Sequence, residues 1–269
     1  VGRGKKIPQL MLHGGPGFPS NSLQTLGNFA KDREVIFYDQ LGCGRSDRPS
    51  DKSLWNINRF VAELNTLRNS LKLKTLHLFG HSWGSMLATS YTLKYPEGIK
   101  SLILSGPFLS VSRWIDDANR LKKDLPEKIQ TIIDKHEKNG TTDSKEYEKA
   151  TLEFYKLHLC RIYPFPKSFQ EEKKGAGMDV YRVMWGPTEF HCTGNLRSVD
   201  LTPQLYRIKI PVLLLCGRFD EAIPKTVESY KSFFPNARMK IFEKSSHTAY
   251  LEGRKKYIET VNKFLKSLE

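Results

Sequence analysis

The sequence predicts an α/β protein in which a mostly parallel sheet is flanked by helices and interrupted by a helical insert. Short apolar runs alternate with segments of helical periodicity in residues 1–107 and again in residues 201–269. Residues 108–200 instead contain charged helical patterns and no strong strand run. We therefore expect one core built from two parts, 1–107 and 201–269, with a helical cap formed by 108–200.

Strands are predicted where short apolar runs stand, and helices where apolar residues recur every three or four positions. The run at 210–216 is too apolar for a surface strand, and Phe60, Val61 and Leu64 share one face of a helix. Pro126 and Gly140 separate the helices of the cap. The predicted strands cover residues 7–12, 35–38, 76–79, 101–104, 210–216 and 239–242, and the predicted helices cover 58–71, the segment after 84, 113–125, 127–138, 144–160 and the C-terminal segment.

Length and composition are those of a globular protein. At 269 residues with 39% hydrophobic residues the chain can bury a full core, and no apolar run reaches the length of a membrane span. The four cysteines have no Cys-x-x-Cys spacing and no secretory signal is visible, so we expect no metal site, no disulfides and a cytoplasmic setting. Because the sequence begins with Val1, we expect the natural N-terminus to lie upstream.

The net charge of +14 would be compatible with a nucleic-acid-binding protein. The basic excess lies in the two flanking parts of the chain, whereas residues 108–200 are nearly balanced. Apart from residues 254–256 it forms no dense run. We interpret it as a lysine-rich surface and expect neither nucleic acid nor a membrane as a partner.

Residues 80–84, Gly-His-Ser-Trp-Gly, stand between a predicted strand and a predicted helix. Glycines on both sides permit a turn sharp enough to place Ser82 at its apex. A Gly-x-Ser-x-Gly pattern also arises by chance, but the strand and helix around this one favour a function. Ser82 is therefore the candidate nucleophile.

Residues 13–17, His-Gly-Gly-Pro-Gly, follow the first predicted strand. A glycine-rich turn after a strand exposes backbone N–H groups that can bind an anion. The segment is not Gly-x-Gly-x-x-Gly, and no Gly-Lys-Ser/Thr follows, so nucleotide binding is not indicated. We expect an oxyanion hole formed by the N–H groups of Gly15 and Trp83.

Two further residues follow predicted strands, Asp220 after 210–216 and His247 after 239–242. Ligands of such sheets bind beyond the carboxyl ends of the strands. With Ser82, these residues stand in the order Ser, Asp, His that is typical of α/β-hydrolases. His247 would act as general base and Asp220 would orient it, although alone each is compatible with an ordinary loop position. Asp39 and Arg45 are interpreted as a structural pair.

Several motifs together resemble the proline iminopeptidase family of α/β-hydrolases. They are residues 13–17, 39–46 (Asp-Gln-Leu-Gly-Cys-Gly-Arg-Ser), 80–84 and 217–220 (Gly-Arg-Phe-Asp). In the cap, residues 185–190 and 193–194 are similar to the archaeal tricorn-associated aminopeptidase and its bacterial relatives. The resemblance implies a serine hydrolase that removes an N-terminal residue, often proline, from short peptides, amino-acid amides or arylamides, without a cofactor.

The resemblance also implies which residues hold the free amine of the substrate. In the family two glutamates do so, and the matching positions are Glu189 in the cap and Glu221 beside Asp220. From the residues alone, Glu189 reads as a solvated loop charge. Two departures stand out: Ser85 occupies a position that is often glycine, and the sequence starts just before the third strand of the usual fold, so two strands are expected to be missing.

Two other functions remain open at this point. A carboxylesterase or lipase-like hydrolase would use the same fold and triad with a neutral substrate. A non-enzymatic binding protein would rely on the positive charge. Neither a preference for proline nor an oligomeric state follows from these residues.

Overall fold

The computed structural model describes residues 1–269, apart from the side chains of residues 28 and 30. Within this part of the chain, six parallel strands form one sheet in the order β2-β1-β3-β4-β5-β6. The strands are β1 (Lys6–Leu12), β2 (Arg33–Phe37), β3 (Leu76–His81), β4 (Ile99–Ser105), β5 (Val212–Gly217) and β6 (Ala237–Phe242).

Helices cover both faces of the sheet, as predicted, and the remaining helices lie between β4 and β5. They are α1 (Ile57–Ser70), α2 (Trp83–Lys94), α3 (Val111–Lys122), α4 (Glu127–Asn139), α5 (Lys145–His158), α6 (Lys167–Lys174), α7 (Met178–Met184), α8 (Pro224–Phe233), α9 (Ala249–Glu252) and α10 (Arg254–Lys266). Short 3₁₀ segments occur at Leu23–Lys31, Lys52–Leu54 and Thr202–Arg207.

Alternate side chains of each strand enter two different cores. Leu78 of β3 packs with residues of α1 and α2, whereas its neighbour Phe79 packs with residues of α10. All six residues of both β3 and β5 are buried. A parallel sheet covered on both faces explains why these strands read as continuous apolar runs rather than alternating ones.

Two long helices begin at side-chain caps that the sequence supplies. Asn56 Oδ1 accepts the N–H of Arg59 at 3.0 Å at the start of α1, and Ser144 Oγ accepts the N–H of Tyr147 at 3.1 Å at the start of α5. Each cap satisfies a backbone donor that has no partner within the helix. These caps define helix starts within one residue of the predicted ones.

The segment between β4 and β5 contains α3 to α7. Ile133, Phe154 and Phe190 belong to a small apolar cluster of its own. The sequence did not predict α6 or α7, because they have only eight and seven residues and therefore carry little periodicity. Packing stabilises α7 instead, since Val180 and Tyr181 join the main core below it.

Helix α6 is attached to the core through a buried carboxyl group. The backbone N–H of Ser22 donates to Glu172 Oε2 at 3.3 Å, and the hydroxyl of Ser22 lies 2.8 Å from that of Tyr250. Burial raises the pKa of Glu172 to about 7, and hydrogen bonds from Ser22 only partly offset it. Near neutral pH this contact therefore exists in both protonation states.

Replacing Glu172 by glutamine should make protein stability less sensitive to pH. A carboxyl whose pKa rises on folding stabilises the native state below the unfolded pKa and loses that contribution as pH rises towards 7. In urea unfolding, the stability of Glu172→Gln relative to the parent should thus increase by about 3 kcal/mol between pH 4.5 and pH 8. An unchanged difference between the two proteins would contradict this account.

Candidate active site

The turn between β3 and α2 holds Ser82 in a conformation that non-glycine residues rarely adopt. Its φ and ψ are 53° and −122°. A Cβ atom at Gly80 would collide with the backbone of Gly84, and one at Gly84 would collide with the carbonyl of Leu12. Both glycines are therefore required by close backbone approach, which pushes Ser82 forward at the end of the strand.

Ser85 fastens this turn to the loop after β4. Its hydroxyl donates to the carbonyl of Ser82 at 2.6 Å and accepts the backbone N–H of Phe108 at 2.8 Å. The residue that departs from the usual glycine thus adds two hydrogen bonds beside the predicted nucleophile. The backbone N–H of Ser82 is also bound, by the carbonyl of Ser105 at 2.9 Å.

Asp220 and His247 meet in a buried hydrogen bond between the loops after β5 and β6. His247 Nδ1 donates to Asp220 Oδ1 at 2.7 Å, and both side chains are almost completely buried. The carboxylate also accepts the N–H groups of Ala222, at 2.8 Å, and Gly217, at 3.1 Å. Backbone donors therefore hold the carboxylate in place and leave the proton of the imidazole on Nδ1.

The imidazole of His247 lies beside the turn that carries Ser82. The imidazole lies against Gly106, whose position leaves no room for a side chain, and its centroid is 4.6 Å from that of His81. Gly106 follows Ser105, and His81 precedes Ser82. The backbone N–H of Ser82 donates to the carbonyl of Ser105. Among the side chains described, Nε2 of His247 has no hydrogen-bond partner, so it is available to the hydroxyl of Ser82.

Gly15 and Trp83, the residues predicted to form an oxyanion hole, belong to two segments that meet at Ser82. Trp83 is the first residue of α2, so its N–H has no acceptor within the helix. Gly14 lies close to Ser82, since a Cβ atom on Gly14 would stand 3.3 Å from the Cβ of that serine. Gly15, the next residue, therefore also lies near the turn that carries Ser82. The N-terminus of a twelve-residue helix also favours negative charge here.

A neutral histidine holds the loop of Gly15 against Trp83. His13 Nε2 accepts the N–H of Gln40 at 2.8 Å, so its Nδ1 carries the proton and donates to the carbonyl of Gly14 at 3.0 Å. Burial lowers the pKa of His13 to about 4. The side-chain oxygen of Gln40 accepts the indole N–H of Trp83 at 2.8 Å, which connects the two halves of the predicted oxyanion hole.

Asp39 and Arg45 have the structural role that the sequence indicates. Asp39 accepts hydrogen bonds from the N–H and hydroxyl of Ser20, and from the N–H and Nε of Arg45. Burial opposes the charge of Asp39, but these hydrogen bonds hold its pKa below the usual value. The pair thereby orders the loop after β2.

Glu189 reaches from the cap towards His247 between two aromatic side chains. Its Oε1 accepts the hydroxyl of Tyr181 at 2.6 Å, and its Oε2 accepts the indole N–H of Trp114 at 3.1 Å. The ring of Trp114 stands edge-on to the imidazole of His247, with centroids 5.6 Å apart. Burial raises the pKa of Glu189 despite these donors.

Glu221 is fully enclosed beside the same imidazole. Its Oε1 is 3.6 Å from His247 Nε2, and among the described side chains its Oε2 has no hydrogen-bond partner. Burial, followed by the charges of Glu189 and Asp220, raises its pKa well above the usual value. The structure therefore brings both predicted glutamates to one side of His247.

Sequence reasoning missed the supporting roles of Trp114 and Tyr181. Both are aromatic residues on cap helices that also pack in the main core, so nothing in the pattern separated them from ordinary core residues. Only their distances from Glu189 reveal that they donate hydrogen bonds to it.

A cavity of about 480 Å³ opens in the cap near Glu189. Thr188, Tyr147 and Tyr155 line it together with residues of α7, but Ser82 and His247 do not. Within the part of the chain that the structure describes, no group of three or more His, Cys, Asp or Glu side chains could hold a metal ion. In the same residues, no helix has the length and apolar character needed to cross a membrane.

Comparison with known proteins identifies the family. A family model described as the alpha/beta hydrolase fold matches residues 8–254. The proline iminopeptidase of Heyndrickxia coagulans is 46% identical over 266 residues, which are 98% of this chain and 92% of that protein. This chain belongs to the proline iminopeptidase family of α/β-hydrolases. The predicted fold, family and enzyme class, a serine aminopeptidase, are confirmed.

Solved structures show the same relationship. The proline iminopeptidase of Mycobacterium smegmatis superposes with a TM-score of 0.90 at 34% identity, covering 97% of this chain and 90% of that chain. The crystal structure of VinJ superposes with a TM-score of 0.95 at 35% identity, covering 98% and 92%. The similarity thus extends through the cap as well as the sheet.

Substitutions of Ser82 should separate chemistry from backbone strain. Ser82→Ala and Ser82→Gly should both lower kcat at least about 10⁴-fold, since either removes the nucleophile. Glycine also tolerates the positive φ at this position. The free energy of unfolding of Ser82→Gly should therefore be roughly 1 kcal/mol higher than that of Ser82→Ala. Arylamide hydrolysis and urea unfolding measure the two effects. Retained turnover in either variant would exclude Ser82 as the nucleophile.

Proposed function

We propose that this enzyme removes the N-terminal residue from short peptides, amino-acid amides and arylamides through an acyl-enzyme on Ser82. His247 acts as base, Asp220 orients it, and the N–H groups of Gly15 and Trp83 stabilise the oxyanion. Glu189 and Glu221 bind the free amine. The observation that carries this proposal is a buried carboxylate oxygen of Glu221, close to His247, which has no hydrogen-bond partner among the described residues.

Covalent geometry places the amine of such a substrate next to the catalytic base. In an N-terminal residue the amine nitrogen is two bonds from the attacked carbonyl carbon, at about 2.5 Å. A site for the amine must therefore lie within a few ångströms of the group that serves the nucleophile. Glu221 Oε1, at 3.6 Å from His247 Nε2, meets this requirement.

The energetics of the buried carboxyls favour a cationic ligand. Two enclosed carboxylates repel each other and lack solvation, which is why the pKa of Glu221 is raised well above its usual value. An ammonium group bound between them would neutralise charge and supply the missing donors. A neutral acyl chain or an acetylated amine would leave the carboxyls unpaired, so the site favours an aminopeptidase over an esterase.

Acylation in this proposal uses the hydrogen bond between His247 and Asp220. His247 Nε2 takes the proton of Ser82 as its Oγ attacks the carbonyl carbon, and Asp220 stabilises the imidazolium through Nδ1. The new C–O bond places negative charge on the carbonyl oxygen, which the N–H groups of Gly15 and Trp83 receive. His247 returns the proton to the leaving nitrogen as the C–N bond breaks.

Deacylation repeats these steps with water. Water attacks the ester of Ser82 while His247 Nε2 accepts its proton, and the proton then passes to Ser82 Oγ as the amino acid leaves. The glutamates hold the amine throughout, so they act on both half-reactions. The products are a free amino acid and the shortened peptide or released amine.

Amine recognition predicts discrimination between free and blocked substrates. Prolyl and other aminoacyl arylamides should be hydrolysed much faster than their N-acetyl forms. For the free substrates, Glu221→Gln should raise the activation free energy derived from kcat/KM by about 2–4 kcal/mol, because a buried ion pair loses one partner. Glu189→Gln should act in the same direction. Turnover of a short neutral ester should change far less in both variants.

A matched control comes from Glu137, another cap glutamate, which accepts the hydroxyl of Tyr147 at 3.0 Å. Glu137→Gln should alter neither the preference for free amines nor the rate on esters. Equal losses on arylamides and esters in Glu221→Gln would show that this residue serves the structure instead. Equal rates on free and acetylated substrates of the parent enzyme would reject amine recognition altogether.

The raised pKa of Glu221 and of Glu189 should appear in the pH dependence of KM. While the carboxyls keep their protons they bind an ammonium group poorly, so KM for a prolyl arylamide should fall as pH rises above the ordinary range of carboxyl pKa values. It should rise again once the substrate amine, with a pKa of roughly 8, loses its proton. KM for a neutral ester should remain flat, and a parallel change for the ester would contradict this origin.

A further inference from the structure

His158 stands where the cap meets the two loops that carry Asp220 and His247. It is the last residue of α5 and is 7% exposed. Its carbonyl accepts the backbone N–H of His247 at 3.0 Å. Its own imidazole reaches the other loop, with Nδ1 2.9 Å from the carbonyl of Phe219, the residue before Asp220.

The two loops are also hydrogen-bonded to each other. Together with the contacts of His158, these bonds close a ring that includes the loops of Asp220 and His247. The N–H of Phe219 donates to the carbonyl of Ser245 at 3.0 Å, and Asp220 accepts the proton on His247 Nδ1 at 2.7 Å. One cap residue therefore contacts each loop within one residue of its functional side chain. His158 is the third member of this ring.

The protonation state of His158 suits this position. A carbonyl oxygen can only accept, so Nδ1 of His158 carries the proton and donates to Phe219. Burial lowers the pKa of His158, which keeps the ring neutral next to His247. Among the described side chains, its Nε2 has no hydrogen-bond partner, so the imidazole is held here by a single directional bond.

Neighbouring contacts make this seam rigid. The carbonyl of Leu159 accepts both the N–H and the hydroxyl of Thr248 at 3.0 Å. Glu252 accepts the N–H of Arg161 at 2.7 Å and the N–H of Ser246 at 2.6 Å. The residues on both sides of His247 are thus tied to the cap segment that begins at His158.

We propose that His158 is a positioning residue for the reaction, which sets the alignment of Asp220 with His247 by holding the Phe219 carbonyl and the His247 backbone together. It touches neither substrate nor the reacting atoms. The inference rests on the proposed triad but not on amine recognition by the glutamates. In this role the cap contributes to the chemical step and does more than enclose the substrate.

The ordinary alternative is that His158 only ends a helix. A helix end leaves carbonyl groups without partners, and the N–H of His247 satisfies one of them whatever the side chain at 158 is. The two roles differ in what the side chain must do. Asparagine places an N–H at nearly the same distance from Cα as histidine Nδ1, whereas leucine fills the space and donates nothing.

The test compares His158→Leu with His158→Asn in arylamide and short-chain ester hydrolysis, with rates corrected for the folded fraction. Because sub-ångström misplacement of a catalytic pair is costly, His158→Leu should lower kcat about tenfold or more on both substrates while KM changes little. His158→Asn should restore kcat to within roughly threefold of the parent, since it keeps the bond to Phe219. Equal losses on both substrates separate this effect from any failure of amine recognition.

His136 supplies the control, because it is a buried cap histidine whose partners, Thr141 and Glu146, belong to the turn between α4 and α5 and to the start of α5. His136→Leu should destabilise the fold without changing kcat of the folded enzyme. The proposal is overturned if His158→Leu has the kcat of the parent, or if His158→Asn loses as much as His158→Leu. If the leucine variant fails to fold, His158→Asn is compared with His158→Gln, whose amide stands one bond further out. The proposal then requires a higher kcat for His158→Asn, and equal kcat values in the two variants overturn it.

Discussion

The hydrogen bond between His247 and Asp220 joins the loops after β5 and β6 at the carboxyl edge of the sheet. It is buried, and backbone N–H groups of Gly217 and Ala222 fill the remaining acceptor positions of the carboxylate. In a water-free surrounding such a bond is strong only while its geometry is maintained. The strands below it and the cap segment beside it therefore act together to maintain that geometry.

Several acidic groups are buried in a protein with a large positive charge. Glu189 and Glu221 lie beside His247, and Glu172 lies between α6 and the core. Burial raises the pKa of each of them. Proteins rarely bury a carboxyl without a partner, so the oxygen of Glu221, unpaired among the described residues, is more informative than any surface charge. The net charge of +14 describes the surface and does not describe the site.

In the function proposed above, the cap contributes both to recognition of the substrate and to support of the triad. Its aromatic residues Trp114 and Tyr181 orient Glu189, and its helix α5 ends in backbone contacts to the loop of His247. An insert that only covered the site would need neither set of contacts. The arrangement implies that substrate binding and alignment of the triad depend on the same helical segment.

The strands and long helices were predictable because their signals are local. Six apolar runs became the six described strands with ends shifted by a few residues, and Asn56 and Ser144 marked helix starts. Short helices such as α7 and α9 were not, since seven or four residues carry no periodicity and depend on packing. Ser82 was recognisable for a similar reason, because its turn needs two glycines at fixed spacing.

The fold, the family and the chain order of Ser82, Asp220 and His247 could be predicted from residue patterns, because strand ends and turn residues are encoded by neighbours in the chain. Tertiary structure alone decided how cap and core meet. Glu189 and Glu221 stand 32 positions apart and share a site only because the cap folds over the sheet. His158 gave no signal in the sequence, because its role depends on two loops that follow it by about 60 and 90 residues.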